Sequence, residues 1–330
     1  MKAIDNLPFS IYNTANNSPR PLWKHMHTWG LSVCRGAFMA TKEFKTLDEQ
    51  LEILKSRSLT IENELDAKEF LRKNNYYRLS GYSLTLRDHD LFFPGTTFQN
   101  IVDIYTFDEA LRHILLEQLE RIENELKSVF AYEFAKKYGP LGYLNSGNFT
   151  DNKAFLKIRA KAVEQQYKRM GHEAYLQHFN KVREELPIWA YVDLLSIADI
   201  SMLYQISDGN LKSDIAGNFG ITVNTRAEIL AKAMHGMTIL KNLCAHGSRL
   251  FNRIFITKPS LSRSEKNLLR KNEDGEIDIY HVFGYILVMK KLLPSENFTV
   301  MKARIVELSD KIPFVAMRYY GFPDNWKEVI

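Results

Sequence analysis

The chain of 330 residues has only two cysteines, Cys34 and Cys244. Two are too few for a disulfide framework or a cysteine-based zinc site. No run of about 18 or more apolar residues occurs, which excludes a membrane-spanning helix. The opening Met1-Lys2-Ala3-Ile4-Asp5 lacks the apolar run of a signal peptide. Together these absences lead to the expectation of a soluble, cytoplasmic protein. What is present is globular: 45% hydrophobic and 25% charged residues, ample for a core at this length. Intrinsic disorder is excluded as the main description, and one large or two intimate domains are expected.

The net charge of +5 is unevenly spread. Arg226 to Lys271 carries ten Lys or Arg against Glu228 and Glu265. Asp103 to Glu125 carries seven acidic residues against Arg112 and Arg121. A concentrated basic segment in a nearly neutral protein suggests a polyanion site. Oppositely charged helices that pair, or solvated faces, produce the same pattern.

Helical periodicity dominates. Ile101, Ile104, Leu111, Leu115, Leu119, Ile122, Leu126 and Phe130 step by threes and fours until Gly139-Pro140, which predicts one long helix. Shorter helices are expected at Leu47–Leu54 and Ala67–Leu71. Pro187 can open another, with Trp189, Val192, Leu195 and Ile206 on its apolar stripe. A helix over about 224–245 turns Ile229, Ala233, Met237, Leu240 and Cys244 inward, with His235 and Met237 read as structural. Ser262 to Glu265 has capping-box spacing, and two helices follow near Ile279–Leu293 and Ser295–Lys311. The only strands expected flank Asp88-His89-Asp90, with Leu84 and Leu86 before and Leu91–Phe93 after. The class is therefore all-α with one small β-hairpin, and Trp189 and Trp326 are read as core. Three regions are expected: an irregular extension over 1–40, a helical and hairpin region over 41–98, and a helical domain over 99–330. Met39 is a candidate start, which makes residues 1–38 an upstream extension.

Chemistry concentrates between Lys241 and Arg253. If the helix continues, Asn242, His246, Arg249 and Arg253, spaced 4, 3 and 4 apart, share one face, with Lys241 at its margin. An imidazole that moves a proton near neutral pH and guanidinium groups that grip phosphate suit a phosphodiester. No acidic residue lies between Lys232 and Glu265, and magnesium nucleases need carboxylates, so a metal-independent mechanism with no cofactor is expected. RNA permits one, because its 2′-hydroxyl can attack the neighbouring phosphate. A His at a helix end beside Lys and Arg also serves as a cap or surface hydrogen-bonder. Tyr76, Tyr77, Arg78 and Tyr82 either contact RNA bases or pack the core. Asp108, Arg112, Glu120 and Glu123 are spaced for a buried salt-bridge network with Arg78 or Arg121.

Several blocks resemble a known family. Asn75-Tyr76-Tyr77-Arg78-Leu79-Ser80-Gly81-Tyr82 resembles the signature of bacterial abortive-infection proteins of the D/F type. Tyr105-Thr106-Phe107-Asp108-Glu109-Ala110-Leu111-Arg112, continued by Glu120-Arg121-Ile122-Glu123, resembles their next block. Leu186-Pro187-Ile188-Trp189, then Asn242-Leu243-Cys244-Ala245-His246 with Arg249, Asn252 and Arg253, and finally Gly321-Phe322-Pro323-Asp324-Asn325-Trp326 follow in the family's order. The resemblance implies a HEPN-type helical bundle similar to RNA-cleaving toxins and to type VI CRISPR nuclease domains. Their motif is an Arg followed by a polar residue and then a His, paired across a homodimer or two domains. His246 matches the catalytic His and Asn242 the polar residue, whereas Lys241 stands where the family has Arg. Lysine keeps the charge but loses the planar fork. The resemblance also implies a small structured noncoding RNA as partner. The resulting expectation is a phage-defence endoribonuclease in which His246, Lys241 and Asn242 are catalytic. Arg249, Arg253, Tyr77 and Arg78 are its RNA contacts. A non-catalytic RNA-binding protein and a protein-interaction scaffold are the alternatives.

Overall fold

The structure, a computed structural model, describes residues 43–221, 224–272 and 275–330. The expectations for residues 1–40 and for Met39 lie outside the described residues. Residues Thr46–Ile330 form a compact unit, and its elements are helical apart from one short hairpin.

Helix α1 (Leu47–Ser56) starts at a Thr46–Glu49 capping box, in which each side chain satisfies the other's backbone N–H. Helix α2 (Glu64–Asn74) is capped by Asn63, and α3 (Tyr76–Ser80) by Asn75 at φ 61°. The hairpin pairs β1 (Arg87–Asp88) with β2 (Leu91–Phe92). It is shorter than the alternation predicts and begins after Leu86, whose neighbours Ser83–Leu86 form turns. Thr60 is tied to the segment that leads into the next helix by Thr60 N–H to Thr96 O and Phe98 N–H to Thr60 O.

Helix α4 (Phe98–Tyr138) has 41 residues, stopped at Gly139 with φ 78°, and spans about 60 Å. Phe107, Leu111, Leu115, Leu119 and Ile122 are fully buried. Six other helices lie against it, and over its middle the solvent face narrows to residues such as Glu120, Arg121 and Asn124. The chain continues through α5 (Asn152–Arg169) and α6 (Ala174–Val182). Pro187 then opens α7 (Ile188–Tyr191), as expected, but the single helix expected there is broken. Leu195 is extended, and a Ser196–Asp199 capping box starts α8 (Ile197–Gln205). The local cap thus overrides the apolar stripe. Trp189 is 57% exposed rather than core.

Helix α9 (Gly209–Asn218) leads to α10 (Arg226–Ala245). Ala233, Met237, Leu240 and Cys244 of α10 are buried, Ile229 is half-buried, and His235 is exposed. Burial pushes the Cys244 thiol up to about 12, so it stays protonated. The Ser262–Glu265 capping box forms but carries only one turn, α11 (Arg263–Lys266). Helix α12 (Val282–Leu292) starts three residues later than expected, α13 (Ser295–Lys311) matches its expected span, and α14 (Trp326–Val329) buries Trp326. Among the described residues, no helix is long and apolar enough to cross a membrane.

Candidate functional site at the end of helix α10

Helix α10 packs along α4, and the loop that follows its C-terminal end reaches the first half of α4. The axial pairings are Lys241 with Glu123 and Leu250 with Asp108. Helix α10 stops because Gly247 takes φ 61°. There the Gly247 N–H reaches Cys244 O and the Ser248 N–H reaches Leu243 O, a C-terminal motif that glycine favours. Asn242 and His246, four apart on the last turn, are both exposed on one face. Arg249 and Arg253 are not in that row, because the chain has left the helix before it reaches them.

Arg249 instead turns onto its own loop. Its guanidinium donates to Phe251 O and, at 3.5 Å, to Asn252 O, and burial pulls its pKa below the ordinary arginine value. It also lies against the bare Cα of Gly81. Arg253 is partly buried and reaches Arg249 O at 3.5 Å. Arg78 is exposed, lies over the Tyr105 ring and donates to Gly247 O at 2.6 Å. A cation there meets the negative end of the helix dipole. Tyr77 is 64% exposed, whereas Tyr82 is buried. The Tyr77-Arg78 block is thus held one residue beyond His246.

Beneath this surface lies a polar centre. The Asp108 carboxylate accepts from Phe251 N–H at 2.7 Å and Leu250 N–H at 3.1 Å. It also accepts from the Tyr82 hydroxyl at 2.8 Å and the Tyr320 hydroxyl at 3.1 Å, and it pairs with Arg112. Burial dominates and pushes the Asp108 carboxyl up, against the pull of Arg112, Tyr82 and the two backbone donors. Burial also raises the Tyr320 phenol well above its usual value. Asp108 therefore fixes the loop that follows His246.

A second buried carboxylate, Glu123, pairs with Lys241 and, at 2.9 Å, with Lys127. Burial pushes its carboxyl up, but the hydrogen bonds from the two lysines outweigh that and hold it below the usual range. The buried network expected with Arg78 or Arg121 is replaced by these two centres. Arg78 caps α10, Arg121 pairs with Glu117, and Glu120 is exposed. Pairing of oppositely charged helices thus accounts for part of the acidic α4 segment and one lysine of the basic run. Among the described residues, no group of three or more His, Cys, Asp or Glu is placed to hold a metal ion.

Tyr320 and the backbone of Leu250–Phe251 escaped sequence reasoning. Their only signals were a tyrosine just before the Gly321 block and an aspartate on the apolar side of α4. The pieces assembled here, Arg78, Asp108, Glu123 and the 241–252 segment, are drawn from separate blocks of the sequence. The model of one family, Abi-like protein, matches residues 69–252, more than half of the chain. The chain belongs to the Abi-like protein family. Neither the curated proteins nor the solved structures give a match. Family membership associates the chain with abortive infection, a defence against phage. The matched span contains every candidate site residue except Arg253, which follows it directly.

Proposed function

We propose that this Abi-like protein binds RNA and cleaves it without a metal ion, as a HEPN-type endoribonuclease of the D/F kind. What carries the reading is the exposed pair Asn242 and His246 at the end of α10, next to Lys241. In the proposed reaction the 2′-oxygen of the RNA attacks the adjacent phosphorus. The bond to the 5′-oxygen breaks, leaving a 2′,3′-cyclic phosphate and a 5′-hydroxyl. His246 accepts the 2′-proton or supplies one to the departing 5′-oxygen. Asn242 orients the phosphate, and Lys241 offsets charge on the phosphorane. A homodimer would place a second His246 where the complementary proton transfer is needed.

Support for RNA as the ligand comes from the basic chain that follows the site. Lys258, Arg263, Lys266 and Lys271 are exposed, while the one acid between them, Glu265, is engaged with Lys291. Arg253, Arg78, Tyr77 and the remaining N–H groups of Arg249 are the nearer RNA contacts. The natural partner is a small structured noncoding RNA, and the cytoplasm is where such a protein works.

One observation favours a second reading. Lys241 is already paired with Glu123, which lessens the charge it offers a phosphorane, so the protein binds RNA with little cleavage. Lys241→Arg separates the two. A gain in cleavage shows an intact site detuned by lysine, whereas unchanged binding with no cleavage by either form supports the binding protein. Isolation of the protein from cells with a discrete small RNA supports both readings over a scaffold. RNA-free protein with no RNA affinity contradicts both.

A further inference from the structure

A groove of about 690 Å³ lies between α4 and α7, a size ordinary for a small-ligand site. Two features set it apart from a gap in packing. Trp189 and Tyr132 line it and remain 57% and 67% exposed. Its lining also holds Asn124, Asp193 and Lys127, so aromatic area and hydrogen-bonding groups occur together. The groove also adjoins the α10 site. Lys127 lies one turn along α4 from Glu123, and that carboxylate is shared between Lys127 and Lys241. The lining itself carries Lys127 and Lys136 against Asp193, an excess of one positive charge, with Glu123 and Glu133 as the lysines' partners. The Lys136 side chain stays 66% exposed, open to a phosphate. Tyr132 is nine residues from Glu123, about 13 Å along the helix. His246 lies five residues beyond Lys241 in the opposite direction, so a strand must cover about 20 Å to join the two.

We propose that the α4–α7 groove is a nucleotide subsite that holds an unpaired base of an RNA strand against Trp189, with its phosphate at Lys136. This rests on the reading of the protein as an RNA binder and names the part of the ligand that lies outside the cleavage site. Stacking on an aromatic face tolerates any base, and Asn124 and Asp193 supply an amide and a carboxylate for base edges. The subsite selects single strands, because a base inside a duplex has no free face.

The test uses the full chain, titrated with single-stranded hexa-adenylate and with a fully paired RNA duplex while tryptophan emission is recorded. Hexa-adenylate should quench the wild type, and Trp189→Phe should remove most of the quench. Trp189→Ala and Tyr132→Ala should each weaken hexa-adenylate binding about 5- to 100-fold, leave duplex binding unchanged and retain the wild-type circular dichroism. If Trp189→Ala loses the fold, Trp189→Phe and Tyr132→Ala carry the test. If both alanine variants bind hexa-adenylate as the wild type does while Lys241→Ala weakens it, the subsite is wrong and the RNA reading stands. If RNA binding is unchanged but Trp189→Ala abolishes self-association, the groove holds protein and the proposal is overturned. If the wild type binds neither RNA, the RNA reading fails and the subsite with it.

Discussion

At the scale of single residues, two buried carboxylates shape the site. Asp108 receives donors from three separate parts of the chain, and no neutral side chain of its size replaces all of them. Asp108→Ala leaves the Arg112 guanidinium buried without a counter-charge. It should destabilise the protein by about 3–5 kcal/mol, read as a lowered urea midpoint. Glu123 makes a pH-dependent contribution. Its folded-state pKa lies below the unfolded value, so its stabilisation is complete above the ordinary carboxylate range and fades as pH falls through the lowered folded value. The difference in melting temperature between wild type and Glu123→Gln should therefore be present at pH 7 and shrink in acid. A difference that grew on acidification would contradict that assignment. Spacing made Asn242, His246 and the Asp108–Arg112 pair legible in the sequence. The partners of Glu123 and Asp108 were not, because Lys241 and Tyr320 approach them from far along the chain.

At the scale of elements, the end of α10 decides which side chains share a face. Helical spacing puts Asn242, His246, Arg249 and Arg253 in one row, but Gly247 ends the helix before the arginines, and the sequence alone offered both outcomes. In Gly247→Ala, a Cβ would meet Arg78 Nη2 at 2.9 Å at a φ of 61°. The variant should lose about 1–3 kcal/mol and loosen the hold of Arg78 on the helix end. Thermal unfolding beside exchange of the Ser248 amide checks both effects. Elsewhere, periodicity read α4 and α13 well because each keeps a single pattern between clear boundaries, Thr97 and Gly139 for α4 and Pro294 and Pro313 for α13. It failed over 187–206, where a Ser196 capping box restarts the chain within an apolar stripe. Trp189 was misread because Ile188, Tyr191 and Val192 form the buried face of this turn, which leaves Trp189 pointing outward.

At the scale of the whole molecule, the account joins an enclosed helical core to a basic margin. If Lys258, Arg263, Lys266 and Lys271 face the RNA backbone, binding must weaken steeply with salt. Neutralising any one of them should reduce the slope of log K against log salt by about 1, without changing the fold. A slope that does not move places the RNA elsewhere. The charge imbalance was readable from composition, but its division into paired and unpaired residues needed the packing of α10 on α4.

The central claim is that His246 cleaves RNA without a metal ion. Its most direct test is to incubate the purified protein with the RNA it carries from cells, in excess chelator, beside His246→Ala, and to analyse the product ends. His246 is exposed, so the variant should fold and bind RNA as the wild type does. The account predicts chelator-resistant cleavage to 2′,3′-cyclic phosphate ends by the wild type, reduced at least about 100-fold in His246→Ala. Cleavage that the chelator abolishes, or that survives loss of the imidazole, would contradict it.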